Sequence, residues 1–364
     1  MRTAIWVYPE DLRDEGTHQA LATIAAAGID EVRLAVSYHR AEVITPRSRH
    51  RRVLRTTDGL HFVPSANGYG RLRPVLASSE GPRAPELLRE IRGAGLRPTA
   101  WIVIANNTTL GEQHPEAAVR NAWGDHLPFA LCVANPTVRE YSVALVRDAA
   151  TQLDAEELVL EAWHHRRLSN SMARQLSVVP RDSVLARRLA WCFCPACEQH
   201  ARDAQLDPVE LAAQVRTGMV DRTLAAGWSR VREGIVTSFA RLLVGAAGER
   251  PVRLFVPSVD QASADGIDLA TLPVVTPQVS VACYEDTADG VHDAAGRARR
   301  LVGPDADLEV ALRPGDPGTG PSVRSLVASA VRAGQPASVS FYQYGQMTSG
   351  VLAGFDGATE SPRT

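Results

Sequence analysis

The sequence predicts an α/β protein, a (β/α)8 TIM barrel with long insertions after strands 2, 3 and 4. Three observations carry that prediction. Apolar runs of strand length alternate with amphipathic helical stretches along the whole chain of 364 residues. The runs number eight, the count that closes a parallel sheet on itself. No G-x-G-x-x-G follows the first run, so the open dinucleotide-binding sheet lacks its signature.

The elements follow in order. Thr3–Tyr8 (TAIWVY) leads into HQALATIAAAG, whose alanines and closing glycine suit a helix and its C-cap. Glu31–His39 (EVRLAVSYH) is the second strand, and APELLREIRGAG supplies the helix before Arg97–Ala105 (RPTAWIVIA). VREYSVALVRDAATQL precedes the short run Glu157–Glu161 (ELVLE). A long helical stretch around 215–247 comes before Pro251–Pro257 (PVRLFVP). Gln278–Glu285 (QVSVACYE), Asp307–Leu312 (DLEVAL) and Ala337–Tyr344 (ASVSFYQY) complete the set, with SVRSLVASAVRAG between the last two. A minimal barrel takes about 250 residues, so roughly 110 belong to insertions. They fall at 40–83, 106–136 and 164–210 of a single domain spanning 1–364. All three follow strand C-termini, the face on which barrel active sites sit, and long loops there serve as lids or binding loops. The competing reading is decoration that makes contacts between subunits.

Composition narrows the chemistry. All 39 basic side chains are arginine and none is lysine. Lysine Schiff bases, lysine-anchored pyridoxal phosphate and a P-loop lysine are therefore excluded. Proton transfer falls to Asp, Glu, His, Tyr or Cys, because arginine stays charged. A formal charge of −2 gives no electrostatic case for nucleic acid or an acidic membrane. No stretch approaches the ~20 apolar residues of a membrane span, and MRTAIWVYPEDLRDEG is too briefly apolar for a signal segment. Five cysteines, three within six positions, do not read as a secreted disulfide framework. A cytoplasmic protein is expected.

Alternation along the strands assigns faces. It points Ala35, Ser37 and His39 inward from strand 2, and Val159 and Glu161 from strand 4. Strand 6 offers Ser280, Ala282 and Tyr284, strand 7 Glu309, Ala311 and Arg313, and strand 8 Ser338, Ser340, Tyr342 and Tyr344. His39, Glu161, Tyr284, Arg313, Tyr342 and Tyr344 then meet at the upper rim. Glu161 is the strongest single position. It ends an apolar run in LVLEAWHH, with Trp163 beside it, and a carboxylate next to an aromatic face suits cleavage of a glycosidic bond. Its alternative is a salt bridge with a rim arginine. The second carboxylate that this reaction needs is sought in Glu285, Asp286, Asp316 and Asp260, with Glu285 and Asp286 preferred. Tyr8, Asn106, Trp123, Asn135, His164, Gln343 and the rim residues above are expected substrate contacts. His39, Glu161, His164 and Asp286 also suggest a metal site, although no ligand-spaced histidine motif is present.

Cys192, Cys194 and Cys197 form C-F-C-P-A-C, whose C-x2-C spacing suits a structural zinc. His200, Cys132 or Cys283 would have to complete it, and reduced, half-buried thiols are the alternative. No other cofactor is required.

LAVSYHRAEVITPRSRHRRV, LCVANPTVREY, LEAWH and CFCPAC together resemble a family of uncharacterised bacterial glycoside-hydrolase-like barrel proteins. The resemblance covers roughly the first 200 residues. It implies a TIM barrel with an acid/base carboxylate ending strand 4, here Glu161, and a polar turn at Asn135. Many retaining relatives carry a glutamate nucleophile ending strand 7, where this chain has ALRPGD with Arg313 and Asp316. A strand 4/strand 6 pair through Glu285 or Asp286 would replace it. The function expected is a glycosidase or transglycosidase, retaining, acting on a small soluble glycoside. A metal-dependent sugar isomerase, epimerase or lyase and a non-catalytic sugar-binding barrel are the alternatives, and a homo-oligomer is left open.

Overall fold

A computed structural model of the chain describes residues 1–77, 83–168, 183–316 and 320–355. Eight parallel strands form a closed ring: β1 Arg2–Val7, β2 Glu31–Tyr38, β3 Arg97–Val103, β4 Glu157–Glu161, β5 Val252–Val256, β6 Gln278–Cys283, β7 Asp307–Leu312 and β8 Ser338–Phe341. Each pairs with its neighbours in chain order, and β1 closes on β8. The (β/α)8 fold is the one the alternation of runs predicts. Three strands end two or more residues before their apolar runs, β3 at Val103, β6 at Cys283 and β8 at Phe341, because the chain there leaves the ladder to build the mouth.

Helices surround the ring. Val32, Leu34 and Val36 of β2, with Leu158 and Leu160 of β4, point outward and pack beneath them, all fully buried. Each such side chain contributes about 1.5–3 kcal/mol of burial. The helix Pro136–Gln152 packs on the 25-residue helix Arg222–Ala246. Among the described residues, no helix is long and apolar enough to cross a membrane.

The lower half of the barrel is filled by charge rather than by hydrocarbon. Glu309 of β7 has no exposed surface, and its carboxylate is gripped by both terminal nitrogens of Arg33 from β2. Ser280, Ser338 and Ser340 donate to the same carboxylate at 2.7, 3.2 and 2.9 Å. Arg33 also reaches Glu31 at 2.9 Å, and Arg253 of β5 reaches Glu157 at 3.0 Å. A buried charge is tolerated only when it is paired and hydrogen-bonded, and this plug meets both conditions. Trp6 closes it from above, its indole N–H on Ser340 at 3.1 Å.

The insertions shape the upper face. Residues 40–83 hold the hairpin Ala41–Ile44/Val53–Thr56, and residues 106–136 hold the helix Thr108–Gln113 and the hairpin Ala118–Arg120/His126–Leu131. Buried Asp58 ties the two insertions together. Its carboxylate accepts the N–H groups of Arg40, Thr108 and Thr109, the last two in the first turn of a helix. Of the third insertion, the helices Val184–Leu189 and Pro195–Asp203 are described, while residues 169–182 lie outside the described chain.

Candidate active site at the barrel mouth

Above the ionic plug the barrel turns aromatic. Trp6, Trp101 and Phe255 form the floor, with Trp6 edge-on to the other two at 4.9 and 5.2 Å between ring centroids. Tyr8, Tyr38, Tyr284 and Tyr342 form the wall. Glu161 stands among them at the end of β4, partly exposed, where the indole N–H of Trp101 donates to its Oε2 at 2.8 Å. Its charge reaches Tyr38, Tyr284, Tyr342, His39 and Arg166, which places it at the centre of the mouth. The next residue, Ala162, has φ of 60°, the left-handed region that a side chain rarely adopts. That turn ends the strand abruptly. It leaves Glu161 over the mouth and sends Trp163 the other way.

The wall phenols are mutually hydrogen-bonded. Tyr8 Oη lies 2.7 Å from Tyr38 Oη and 3.1 Å from Tyr342 Oη. Burial holds all three above the ordinary tyrosine range, helped by the Glu161 charge at Tyr38 and Tyr342 and by the neighbouring phenols at Tyr8 and Tyr38, so they remain neutral hydroxyls. Tyr284 differs: its buried hydroxyl has no hydrogen-bond partner among the described residues. Buried Arg166 approaches from the third insertion, its Nη2 donating to the Asn106 side-chain oxygen at 3.2 Å while the Asn106 amide donates to Phe129 O at 2.8 Å. Behind Arg166 lies Asp265, fully buried and ion-paired with Arg167 at 2.9 Å. Burial raises the Asp265 carboxyl to about 6 against the pull of Arg167, Arg166 and Arg232.

A cavity of about 550 Å3 adjoins the mouth above β6, β7 and β8, and Tyr342 is the wall common to both. That volume falls within the ~300–1,000 Å3 usual for small-ligand sites. Asp286, Arg313, Asp316 and Gln343 line it with Glu285. Glu285 and Asp286 are both exposed. The Cβ and Cγ of Glu285 pack against Gly290 at the start of the next helix. The Arg313 guanidinium lies 5.5 Å from the centre of the Tyr284 ring and holds that ring from above.

Asp11 supports the β8 side of the mouth. It accepts the Tyr8 N–H at 2.9 Å and the side-chain amide of Gln343, and Gly345 passes so close that any Cβ there would strike its carboxylate. Burial raises the Asp11 carboxyl to about 7, against the opposing effect of these two donors. The folded protein thus keeps this proton up to about pH 7, whereas an unfolded chain loses it near 3.9. Stability should fall as pH rises from about 4 to 7, by at most about 4 kcal/mol from this group. Asp11→Asn keeps an acceptor but cannot ionise. Urea unfolding should find the variant more stable than the native chain at pH 8 and equal to it near pH 4. Asp265 acts in the same sense between about pH 4 and 6, so the profile flattens without vanishing.

Of the other residues expected here, Trp163, His164, Tyr344, Asn135 and Trp123 are engaged elsewhere, while Gln343 and His39 lie beside the mouth. Trp163 is fully buried in the helix-facing core and donates to Phe255 O at 3.0 Å, a consequence of the turn at Ala162. His164 is fully buried, with Nδ1 2.9 Å from His165 O, and burial with Arg166 nearby lowers its pKa well below the ordinary value. Tyr344 lies beyond the end of β8, bonded to Glu15 at 2.8 Å and covered by Arg47. Asn135 caps the helix Pro136–Gln152 by accepting from Thr137 N at 2.9 Å. Trp123 is 42% exposed at the tip of a hairpin. Gln343 is fully buried and reaches Asp11 and the Gln346 N–H. His39 stacks on Tyr38 at 4.3 Å, with Nδ1 3.0 Å from Arg40 O, and burial lowers its pKa. The ladder shifts register between Ala35 and Ser37, and this irregularity turns Tyr38 into the mouth where strict alternation would have placed its neighbours. Parity therefore missed Tyr38, and it also missed Trp101, Arg166, Asp11 and Asp265.

The cysteines meet away from the mouth. The Sγ atoms of Cys132, Cys192, Cys194 and Cys197 lie within 4.8 Å of one another, and all four residues are buried. Cys132 thus joins the C-F-C-P-A-C loop. Cys283 sits alone under the helices, where burial pushes its thiol up to about 12. His39, Glu161, His164 and Asp286 do not converge into a group of metal donors among the described residues.

No family model and no curated protein matches the sequence. Solved structures resemble the fold. The glycoside hydrolase domain of PgaB from Bordetella bronchiseptica superposes with a TM-score of 0.64 at 14% identity, covering 98% of this chain and 97% of that one. The α-L-fucosidase isoenzyme 2 from Paenibacillus thiaminolyticus gives 0.63 at 12% identity over 98% of this chain. The β-galactosidase from Marinomonas ef1 gives 0.61 at 11% over the same share. This chain spans 49% of the fucosidase and 58% of the galactosidase. At such identities these likenesses establish a barrel fold of the kind these enzymes use.

Proposed function

We propose that the chain is a glycoside hydrolase or transglycosidase acting on a small soluble glycoside, with Glu161 as its acid/base. One observation carries the reading: a partly exposed carboxylate at the end of β4, held by an indole N–H and ringed by neutral phenols. Aromatic faces stack on sugar rings and phenols hydrogen-bond sugar hydroxyls. The unpartnered Tyr284 hydroxyl is satisfied when such a ligand donates to it or accepts from it. The barrel likeness to glycosidases is consistent with this reading.

In this mechanism Glu161 protonates the glycosidic oxygen as its bond to the anomeric carbon breaks. Asp286 attacks that carbon and forms a glycosyl ester. Glu161, now ionised, then takes a proton from the water that hydrolyses the ester, and configuration is retained. Asp286 is preferred to Glu285 because the Cβ and Cγ of Glu285 lean on Gly290 at the start of the next helix. A panel of nitrophenyl glycosides, followed by NMR of the first-formed anomer, tests the reading. Asp286→Asn should lower turnover at least about 10²-fold and Glu285→Gln should not. The reverse result passes the role to Glu285. Sugar binding without any turnover would leave a non-catalytic barrel.

A further inference from the structure

We propose that Cys132, Cys192, Cys194 and Cys197 form a tetrahedral tetrathiolate site for one zinc ion, which fastens the β3 insertion to the β4 insertion. The dimensions fit. A zinc–sulfur bond of about 2.3 Å sets a tetrahedral edge of about 3.8 Å. Cys132 Sγ lies 3.5 Å from both Cys194 Sγ and Cys197 Sγ, and no pair of the four exceeds 4.8 Å. Two disulfides would require sulfurs about 2.05 Å apart in separate pairs, rather than four mutually adjacent. An iron–sulfur cluster, whose ligands bind different iron atoms, needs wider spacing than one shared centre. The Cys194 N–H also points to Cys192 Sγ at 3.4 Å, a backbone donor placed to stabilise thiolate charge.

A second observation concerns charge. Arg232, 4% exposed, faces Cys192 and Cys197, and its Nε has no hydrogen-bond partner among the described residues. Arg139 faces Cys132 and Cys197. Among the described residues, the carboxylates acting on Arg232 are Asp265, which also serves Arg166 and Arg167, and Glu233 on its own helix. Buried guanidinium groups in excess of buried carboxylates are costly. Zinc with four thiolates carries a net charge of −2 and would balance Arg139 and Arg232.

The ligands come from both insertions. Cys132 follows the hairpin strand His126–Leu131, whose Ala130 bridges Asn106 at the mouth. Cys192 and Cys194 precede the helix Pro195–Asp203, and Cys197 lies in its first turn. Between them the Phe193 N–H donates to Arg120 O at 2.6 Å, and the Phe193 ring stacks on Trp228 at 6.0 Å. The metal would therefore brace the wall that carries Asn106 and Arg166, without touching substrate.

Full-length protein purified without a polyhistidine tag should contain one zinc per chain by elemental mass spectrometry. Cys132→Ser should lose it, Cys283→Ser should keep it, and a chelator should lower the melting temperature of the native chain. If Cys132→Ser does not fold, native protein made in cobalt-supplemented medium should show the charge-transfer and d–d bands of tetrahedral tetrathiolate cobalt. A folded, metal-free native protein with four thiols free to react, or with disulfides among these cysteines, overturns the proposal. Iron in place of zinc overturns the choice of metal.

Discussion

Glu161→Gln is expected to lower turnover of an activated aryl glycoside by about 10²–10⁴-fold, the usual contribution of a positioned general acid/base. The amide preserves shape and can still accept from the Trp101 indole, so the aromatic mouth stays assembled and binding survives. Only the proton and the charge are removed. The competing structural role for Glu161 is as counter-charge to Arg166. If that were its only role, the variant would lose stability and keep its turnover per folded molecule. Unfolding curves recorded beside the kinetics separate the two. Trp101→Phe is a useful companion because it removes the donor while leaving the carboxylate. As a positioning residue, Trp101 should change turnover less than Glu161 does, and its loss should displace the pH profile.

The second large effect concerns stability. Glu309→Gln should cost about 3–5 kcal/mol, the penalty for removing one partner of a buried ion pair. Arg33 and Arg253, each 1% exposed, would face a neutral amide at the centre of the barrel. Arg33 and Arg253 overcome the burial that opposes ionisation, with help from Arg33 and Ser280 as donors, and hold the Glu309 carboxyl down at about 2. The sign of the pH effect follows. The contribution is fully present above the carboxyl's unfolded value, near 4.3, and is lost as pH falls toward 2. Native protein should unfold cooperatively in urea with a midpoint that drops across this acidic window. Glu309→Gln should begin lower and respond less to acid. Turnover per folded molecule should be unaffected, because the plug lies beneath Trp6 and away from the mouth.

The eight strands are readable from sequence because each is buried on both faces, and such runs stand out against alanine- and arginine-rich helices. The same property hides the site. In β1 nothing polar marks the lumen, so TAIWVY does not say that Trp6 faces inward, whereas in β3 and β5 Thr99 and Arg253 share the parity of Trp101 and Phe255 and are a usable signal. Alternation succeeds where polar residues mark the lumen, as with Ser280, Glu309 and Ser340 around one carboxylate. It fails at β2, where the irregularity at Ala35–Ser37 turns Tyr38 inward. Glu161 could be singled out because it ends an apolar run. The other residues around it could not: Arg166 lies past a left-handed turn, Asp265 lies in a connection, and Asp11 lies in the helix Pro9–Glu15 with its partner Gln343 at the far end of the chain. Cys132 lies 62 residues before Cys194 and shows no spacing motif with it.

The claim that Glu161 cleaves a glycosidic bond in an aromatic barrel mouth is tested most directly by a crystal structure of Glu161→Gln soaked with the aryl glycoside turned over best by the native enzyme. The variant should hold the substrate intact. The residue 161 amide should lie about 2.6–3.2 Å from the glycosidic oxygen, with a sugar ring against Tyr342 or Trp101 and a hydroxyl bonded to Tyr284. A glycoside bound only in the outer cavity, with its glycosidic oxygen beyond reach of residue 161, would contradict the assignment.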